Sequence, residues 1–111
     1  MKENLKELNP SDLTDNLIRL IASDWMLVTA GDRTKFNTMT AYWGGMGYLW
    51  NRNVTFIFVR PERYTYGFIE SNEGFTLTFF DARYRDALDL CGTKSGRDCD
   101  KVAEAGLTPF F

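Results

Sequence analysis

Leu13, Leu17, Leu20 and Ile21 recur at three- and four-residue intervals, and Asn9 followed by Pro10 supplies a cap and a first helical residue. Together they predict a helix over residues 9–23. The period then changes. Residues 25–30 (WMLVTA) and 36–43 (FNTMTAYW) are rich in β-branched and aromatic side chains and predict two strands joined by the polar turn GDRTK. Gly44 and Gly45 are expected to end the second strand, and MGYLWNRN reads as an irregular connection with a polar turn at 51–53. Residues 54–59 (VTFIFV) are apolar on both sides, as in a strand inside a barrel or under a second layer. RPERY stops that strand, and a short helix is expected from Thr65 through Phe68 and Ile69. FTLTFF (75–80) sets Phe75, Leu77 and Phe79 against Thr76 and Thr78, the alternation of a half-buried strand. Asp81 caps a helix over 81–92 closed by Gly92, KSGRD is a loop, a second short helix spans 98–106, and LTPFF begins an extended segment. With no repeat, linker or low-complexity tract, the expectation is a single domain over 1–111, mainly β with helices in the connections.

Composition narrows the function. At 111 residues, 44% apolar and 15% aromatic with nine phenylalanines, the chain is globular. A domain of this size buries about two-thirds of its unfolded surface, so partner subunits would help it. The formal net charge of −2 gives no overall field for nucleic acid or anionic membrane, so an anion must find a local basic cluster. Cys91 and Cys99 match neither a CxxC redox motif nor a zinc-ligand set, and with no histidine in the chain no metal site is expected. The N-terminus lacks the apolar core of a signal peptide, and no apolar run approaches the ~20 residues of a membrane span. A cytoplasmic protein with reduced thiols is expected. Without histidine, any enzymatic proton chemistry must use other groups.

Three blocks stand out: FNTMTAYWGG at 36–45, VRPERYTYGFI at 59–69, and CGTKSGRDCDK at 91–101. In this order, and joined by strands of suitable length, they resemble the flavin reductase-like family of FMN-binding split-barrel proteins, flavoredoxin-type members in particular. The resemblance covers most of residues 16–109. It implies a split β-barrel, a homodimer with FMN near the subunit interface, and hydride or electron transfer through the flavin with NAD(P)H as reductant. It also implies that this chain ends before the C-terminal strands that complete the family's barrel.

An isoalloxazine ring needs a flat apolar slot and neutral hydrogen-bonding groups along its polar edge. Asn37, Thr38, Met39 and Thr40 answer that need on a strand edge. The plainer alternative makes Thr38 and Thr40 outward strand residues, Asn37 a turn residue and Met39 core. The FMN phosphate needs localised donors, which Arg60 and Arg63 supply beside a helix start at Thr65, with Tyr64 next to it also counted among the cofactor-binding residues. Solvated arginines paired with Glu62 or Glu70 are the alternative, and Arg63 with Thr65 is the stronger half of the assignment. Lys94, Ser95, Gly96 and Arg97 could reach a phosphate or the pyrophosphate of a nicotinamide, or could form a helix-to-helix loop capped by Ser95 or Asp98. Trp43, Tyr48, Trp50 and Tyr64 either wall the flavin slot or belong to core and dimer interface. The two cysteines read as small, partly buried side chains without an activating neighbour.

No catalytic side chain is assigned. The reading is an FMN-dependent NAD(P)H:flavin oxidoreductase, whose hydride step requires positioned rings rather than a histidine. An FMN-carrying electron-transfer protein and a flavin-less binding or structural remnant remain as alternatives. A nucleic-acid role is opposed by the acidic balance.

Overall fold

The computed structural model describes residues 5–109 and 111. Its centre is β1, Met26–Gly31, flanked antiparallel by β2, Phe36–Ala41, and β5, Phe75–Thr78, in the order β2-β1-β5. Thr29 of β1 stands opposite Thr38 on one side and Thr76 on the other. A strand paired on both edges and covered on both faces is apolar nearly throughout, and Met26, Leu27, Val28 and Ala30 are all buried. The β1–β2 turn is held by the Asp32 carboxylate, which accepts hydrogen bonds from the Thr34 hydroxyl and from the Thr34 and Lys35 amides.

The next segment corrects the sequence reading. Gly44 and Gly45 do not end a strand; they begin β3, Gly44–Leu49, which pairs antiparallel with β4, Arg52–Ile57. β2 itself stops at Ala41, short of the expected residue 43. Trp50 and Asn51 turn the hairpin with φ of 51° and 62°, the left-handed pair of a two-residue loop. The two glycines are required by their neighbour: a Cβ on Gly44 would lie 2.5 Å from the Phe56 carbonyl oxygen, and one on Gly45 would lie 2.5 Å from the Phe56 ring. β4 is also not the doubly buried strand expected. Phe56 and the following Phe58 are exposed, because the hairpin forms its own two-stranded sheet and the two sheets do not close on one another.

The helices largely follow their local signals. The expected helix over 9–23 is interrupted: Asn9 caps a single turn at Pro10–Asp12, Leu13 is extended, and Asn16 starts α1, Leu17–Arg19, which widens into a looser turn over Leu20–Asp24. Two competing caps in one apolar pattern divide it. α2 is Tyr64–Ser71. Asp81 caps a short turn at Ala82–Tyr84 by accepting from the Arg83 amide, and α3, Arg85–Thr93, follows, passing through Gly92 rather than ending there. α4, Lys101–Glu104, is shorter than expected and is capped by Asp100, not Asp98. Of the segment read as extended at 107–111, residues 107–109 have no regular structure and Phe110 lies outside the described residues.

α3 supplies the main packing. Leu27, Leu88 and Cys91 form a buried cluster supported by Trp25, Phe80 and Leu90. Burying Leu88 contributes about 1.5–3 kcal/mol. The Thr40 hydroxyl donates to the Leu88 carbonyl, fastening β2 to α3. At the same, N-terminal end of β1, Arg85 stacks its guanidinium 3.3 Å from the Trp25 ring centroid and donates to the Ser23 carbonyl at 2.7 Å. β2 has no strand on its outer side among the described residues, so α2, α3 and the loop after α3 gather along that free edge.

Candidate functional site

β2 alternates its side chains, which places Asn37 and Met39 on one side and Thr38 and Thr40 on the other. Thr38 is buried, and its hydroxyl is spent inside the sheet on the Val28 carbonyl and the Thr29 hydroxyl. That leaves only its backbone for a ligand. Thr40 likewise commits its hydroxyl to the Leu88 carbonyl. Asn37 and Met39 line a cavity of 160 Å³ between β2, the start of α2 and the loop between α3 and α4.

That cavity brings together eight of the twelve site residues expected from the sequence. Asn37, Met39, Arg63, Tyr64, Thr65, Lys94, Ser95 and Arg97 all line it. Gly96 sits against Asn37, where a Cβ would come 2.0 Å from the Asn37 side-chain oxygen; only glycine lets the loop pass this close. The Asn37 amide nitrogen donates to the Thr65 hydroxyl at 2.8 Å. Thr65 therefore does not cap α2, whose Arg63 N-cap makes no side-chain bond, and its own proton is donated to no protein atom among the described residues. It is a buried hydroxyl with donor capacity left on the cavity wall.

The cation balance favours an anion. Neither Arg60, Arg63 nor Arg97 forms an ion pair among the described residues, so the expected alternative of pairing with Glu62 or Glu70 does not hold. Arg97 lies 5.0 Å from the Tyr64 ring centroid. Lys94 is bound to Glu104 at 2.9 Å, and that partner raises its pKa. Ser95 accepts from the Arg97 amide at 3.1 Å, so it does organise the loop as a local cap.

A second cavity, of 230 Å³, adjoins the first and shares Met39 and Arg63 with it. It is lined by Thr40, Ala41, Tyr42, Trp43, Phe58 and Arg60. The two neighbouring cavities lie along the free edge of β2 and are together termed the trough; aromatic side chains are concentrated in the second and cations in the first. Of the four aromatics expected to wall a slot, Trp43 and Tyr64 line this trough, whereas Tyr48 and Trp50 stand exposed toward the hairpin turn. Phe58 and Lys101 were missed: Phe58 was hidden in a run that read as buried strand, and Lys101 in what read as an ordinary helix. Burial pushes the Cys91 thiol up, and Cys99 is raised by its hydrogen bond to Glu104, so neither is an activated nucleophile. Among the described residues there is no metal-binding group of side chains and no helix long and apolar enough to cross a membrane.

Residues 18–110 match the flavin reductase like domain, and the chain belongs to that family. Among solved structures, flavoredoxin of Desulfovibrio vulgaris (Miyazaki F) is similar at a TM-score of 0.70 and 28% identity, over 94% of this chain. The match spans 55% of the flavoredoxin chain. No curated protein sequence matches significantly.

Proposed function

We propose that the trough binds FMN, with the ring toward Met39, Trp43 and Phe58 and the phosphate toward Arg63, Thr65, Ser95 and Arg97. The observation that carries this is the distribution of polarity: two adjoining cavities that share Met39 and Arg63, one walled by Tyr42, Trp43 and Phe58, the other by arginines without an ion pair among the described residues and by a buried hydroxyl with its donor unspent. The donor set fits the group, since a phosphomonoester is doubly charged near neutral pH and takes charge-assisted bonds, while the ring takes apolar contact and neutral backbone groups. When bound, the flavin supplies the redox chemistry, accepting a hydride from NAD(P)H; the protein binds, orients and excludes water. The same reading carries the split-barrel fold, a homodimer with flavin near the subunit interface, and a cytoplasmic location. The exposed Phe56, Phe58, Tyr48 and Trp50 of the β3–β4 ribbon support a partner subunit there.

The test is a visible spectrum of the purified chain titrated with FMN and with riboflavin. Saturable binding with FMN preferred supports the reading, and no binding of either flavin defeats it. A second reading, an electron carrier without its own nicotinamide site, is favoured by the likeness to flavoredoxin. Direct bleaching of the bound flavin by NADH or NADPH supports the reductase, and bleaching only with an added reductase supports the carrier.

A further inference from the structure

Arg60 and Arg63 stand at the two ends of one tight turn. The Arg63 amide donates to the Arg60 carbonyl at 3.0 Å, and Pro61 takes the second position, where its fixed φ suits the turn. The turn separates the two side chains. Arg63 lines both cavities of the trough, whereas Arg60 lines the 230 Å³ cavity with Met39, Trp43 and Phe58 and does not line the 160 Å³ one. Phe58 and Arg60 both reach this cavity and Val59 between them does not, the alternation of extended backbone. Arg60 is exposed and forms no ion pair among the described residues; Glu62, the carboxylate nearest to it in sequence, lines the other cavity. On the flavin reading above, on which this step rests, we infer that Arg60 tunes the reduction potential of the bound flavin by presenting a permanent positive charge to the reduced ring.

The role follows from the charge balance of the ring. Near neutral pH a flavin takes up two electrons and one proton on full reduction, so a neutral ring becomes a monoanion whose charge spreads over N1 and O2. A group that holds the anion better than the neutral ring raises the potential, because only differential stabilisation moves an equilibrium. Arginine suits this: its guanidinium stays protonated at every working pH and offers paired, planar donors to two adjacent acceptors. No carboxylate lines the 230 Å³ cavity to offset it. Among the described residues the other charged or titratable groups there are Arg63, from the turn before α2, and the Tyr42 phenol, just after β2. Arg63 also reaches the phosphate cavity, so Arg60 is the cation committed to the ring. At acid pH the reduced ring takes a second proton, both redox states are neutral, and Arg60 favours neither. At higher pH the reduced ring is anionic and Arg60 raises the potential. Since Arg60 itself does not titrate, the pH of that change reports the ring's N1 proton, which the guanidinium makes more acidic.

Reduction potentials of FMN and of riboflavin bound to the full chain are measured by dye-equilibrated spectral titration, from mildly acidic to mildly alkaline pH, for wild type, Arg60→Gln and Arg60→Lys. Arg60 is exposed, so neither variant disturbs packing. Expected for Arg60→Gln at alkaline pH is a reduced ring held roughly tenfold less tightly relative to the oxidised one, a fall of about 30 mV for a two-electron couple. The fall should be equal for FMN and riboflavin and should vanish toward acid pH, with the change of slope displaced to higher pH. Arg60→Lys, which keeps the charge, should restore most of the potential. Affinities for the oxidised flavins should change by less than about twofold. A loss of FMN affinity alone, with the potential unchanged, would put Arg60 on the phosphate and overturn the inference. A fall of the same size at every pH would overturn it too, because it marks an altered ring environment rather than a lost charge. If neither flavin binds the wild-type chain, the flavin reading fails and takes this role with it; flavin bound at a potential that Arg60→Gln leaves unchanged defeats the role of Arg60 alone.

Discussion

The Asn37 side-chain amide donates a 2.8 Å hydrogen bond to the Thr65 hydroxyl, joining the free edge of β2 to the first turn of α2 across 28 positions of sequence. Both residues are buried. The bond sets the distance between the strand edge and the helix start, and therefore the width of the cationic end of the trough. Asn37→Ala leaves the Thr65 hydroxyl without that partner and is expected to cost about 1–3 kcal/mol in urea unfolding. It should weaken FMN and riboflavin alike, because the trough itself loses its shape. Loss confined to FMN would place Asn37 at the phosphate instead.

Gly96 closes the same corner from the loop. In Gly96→Ala the new Cβ would lie 2.0 Å from the Asn37 side-chain oxygen and 3.0 Å from Cδ2 of Tyr64, so Asn37 or the loop must move. A destabilisation of about 1–3 kcal/mol is expected, with reduced flavin binding. Gly67, inside α2, has nothing within 4 Å of its would-be Cβ. Gly67→Ala should stabilise by about 0.5–1 kcal/mol and leave ligand affinity unchanged. Thermal or urea unfolding of the pair checks both signs in one experiment.

Much of this corner was legible in the sequence because its residues lie in short blocks with strong local preferences. Asp32 fixes its turn, Asp81 caps the turn leading into α3, and the glycine in KSGRD admits close approach. β3 was not legible, since GGMGYL carries three glycines and no alternation; its glycines answer to Phe56, a contact made only after the hairpin forms. The apolar run VTFIFV reads the same whether it is covered by its own chain or left for another surface, so the exposure of Phe56 and Phe58 could not be read from it. Lys101 looks like a solvated helix charge until α4 docks it beneath the end of α3. At the site, side-chain types foretold the cationic cluster, but only the folded β2 shows that Thr38 and Thr40 spend their hydroxyls internally.

Arg63 lines both halves of the trough and has no ion-pair partner among the described residues. Arg63→Ala is expected to weaken FMN by roughly tenfold to a hundredfold, the value of one charge-assisted bond, and riboflavin by less than about twofold. Thr65→Ala would also break the bond from Asn37, so it should weaken both ligands, and Thr65→Ser should restore them. Fluorescence titration with each flavin measures the two ratios. Equal losses for Arg63→Ala would move the phosphate elsewhere.

Cys91 is fully buried, and burial raises its thiol above the usual range. Cys99 is raised by its hydrogen bond to Glu104 and then by burial. A thiol whose folded pKa exceeds its unfolded value contributes stability that is present below about pH 8.5 and is lost as pH rises through the folded value. At pH 8 the native protein should therefore alkylate at Cys91 at least about a hundredfold more slowly than the urea-unfolded chain, with Cys99 intermediate. Mass-resolved iodoacetamide labelling reads each site. Rapid native labelling of Cys91 would contradict its burial.

Trp43 and Trp50 bracket the β3 strand but occupy different surroundings. Trp43 lines the aromatic end of the trough and packs edge-on against Tyr42 at 5.6 Å, whereas Trp50 is 86% exposed in the hairpin turn. A flavin ring seated beside Met39 lies against the first indole and away from the second. Flavin binding should accordingly quench tryptophan fluorescence, and Trp43→Phe should remove most of that quenching, while Trp50→Phe leaves it nearly intact. Trp43→Phe should also weaken riboflavin and FMN equally, by about 0.5–1.5 kcal/mol, because the stacking partner is the ring common to both. Iodide quenching of the unliganded protein supplies the control, since it must reach Trp50 more readily than Trp43. If Trp50→Phe were the variant that abolished flavin quenching, the ring would sit against the hairpin turn, and the trough along β2 would be the wrong site.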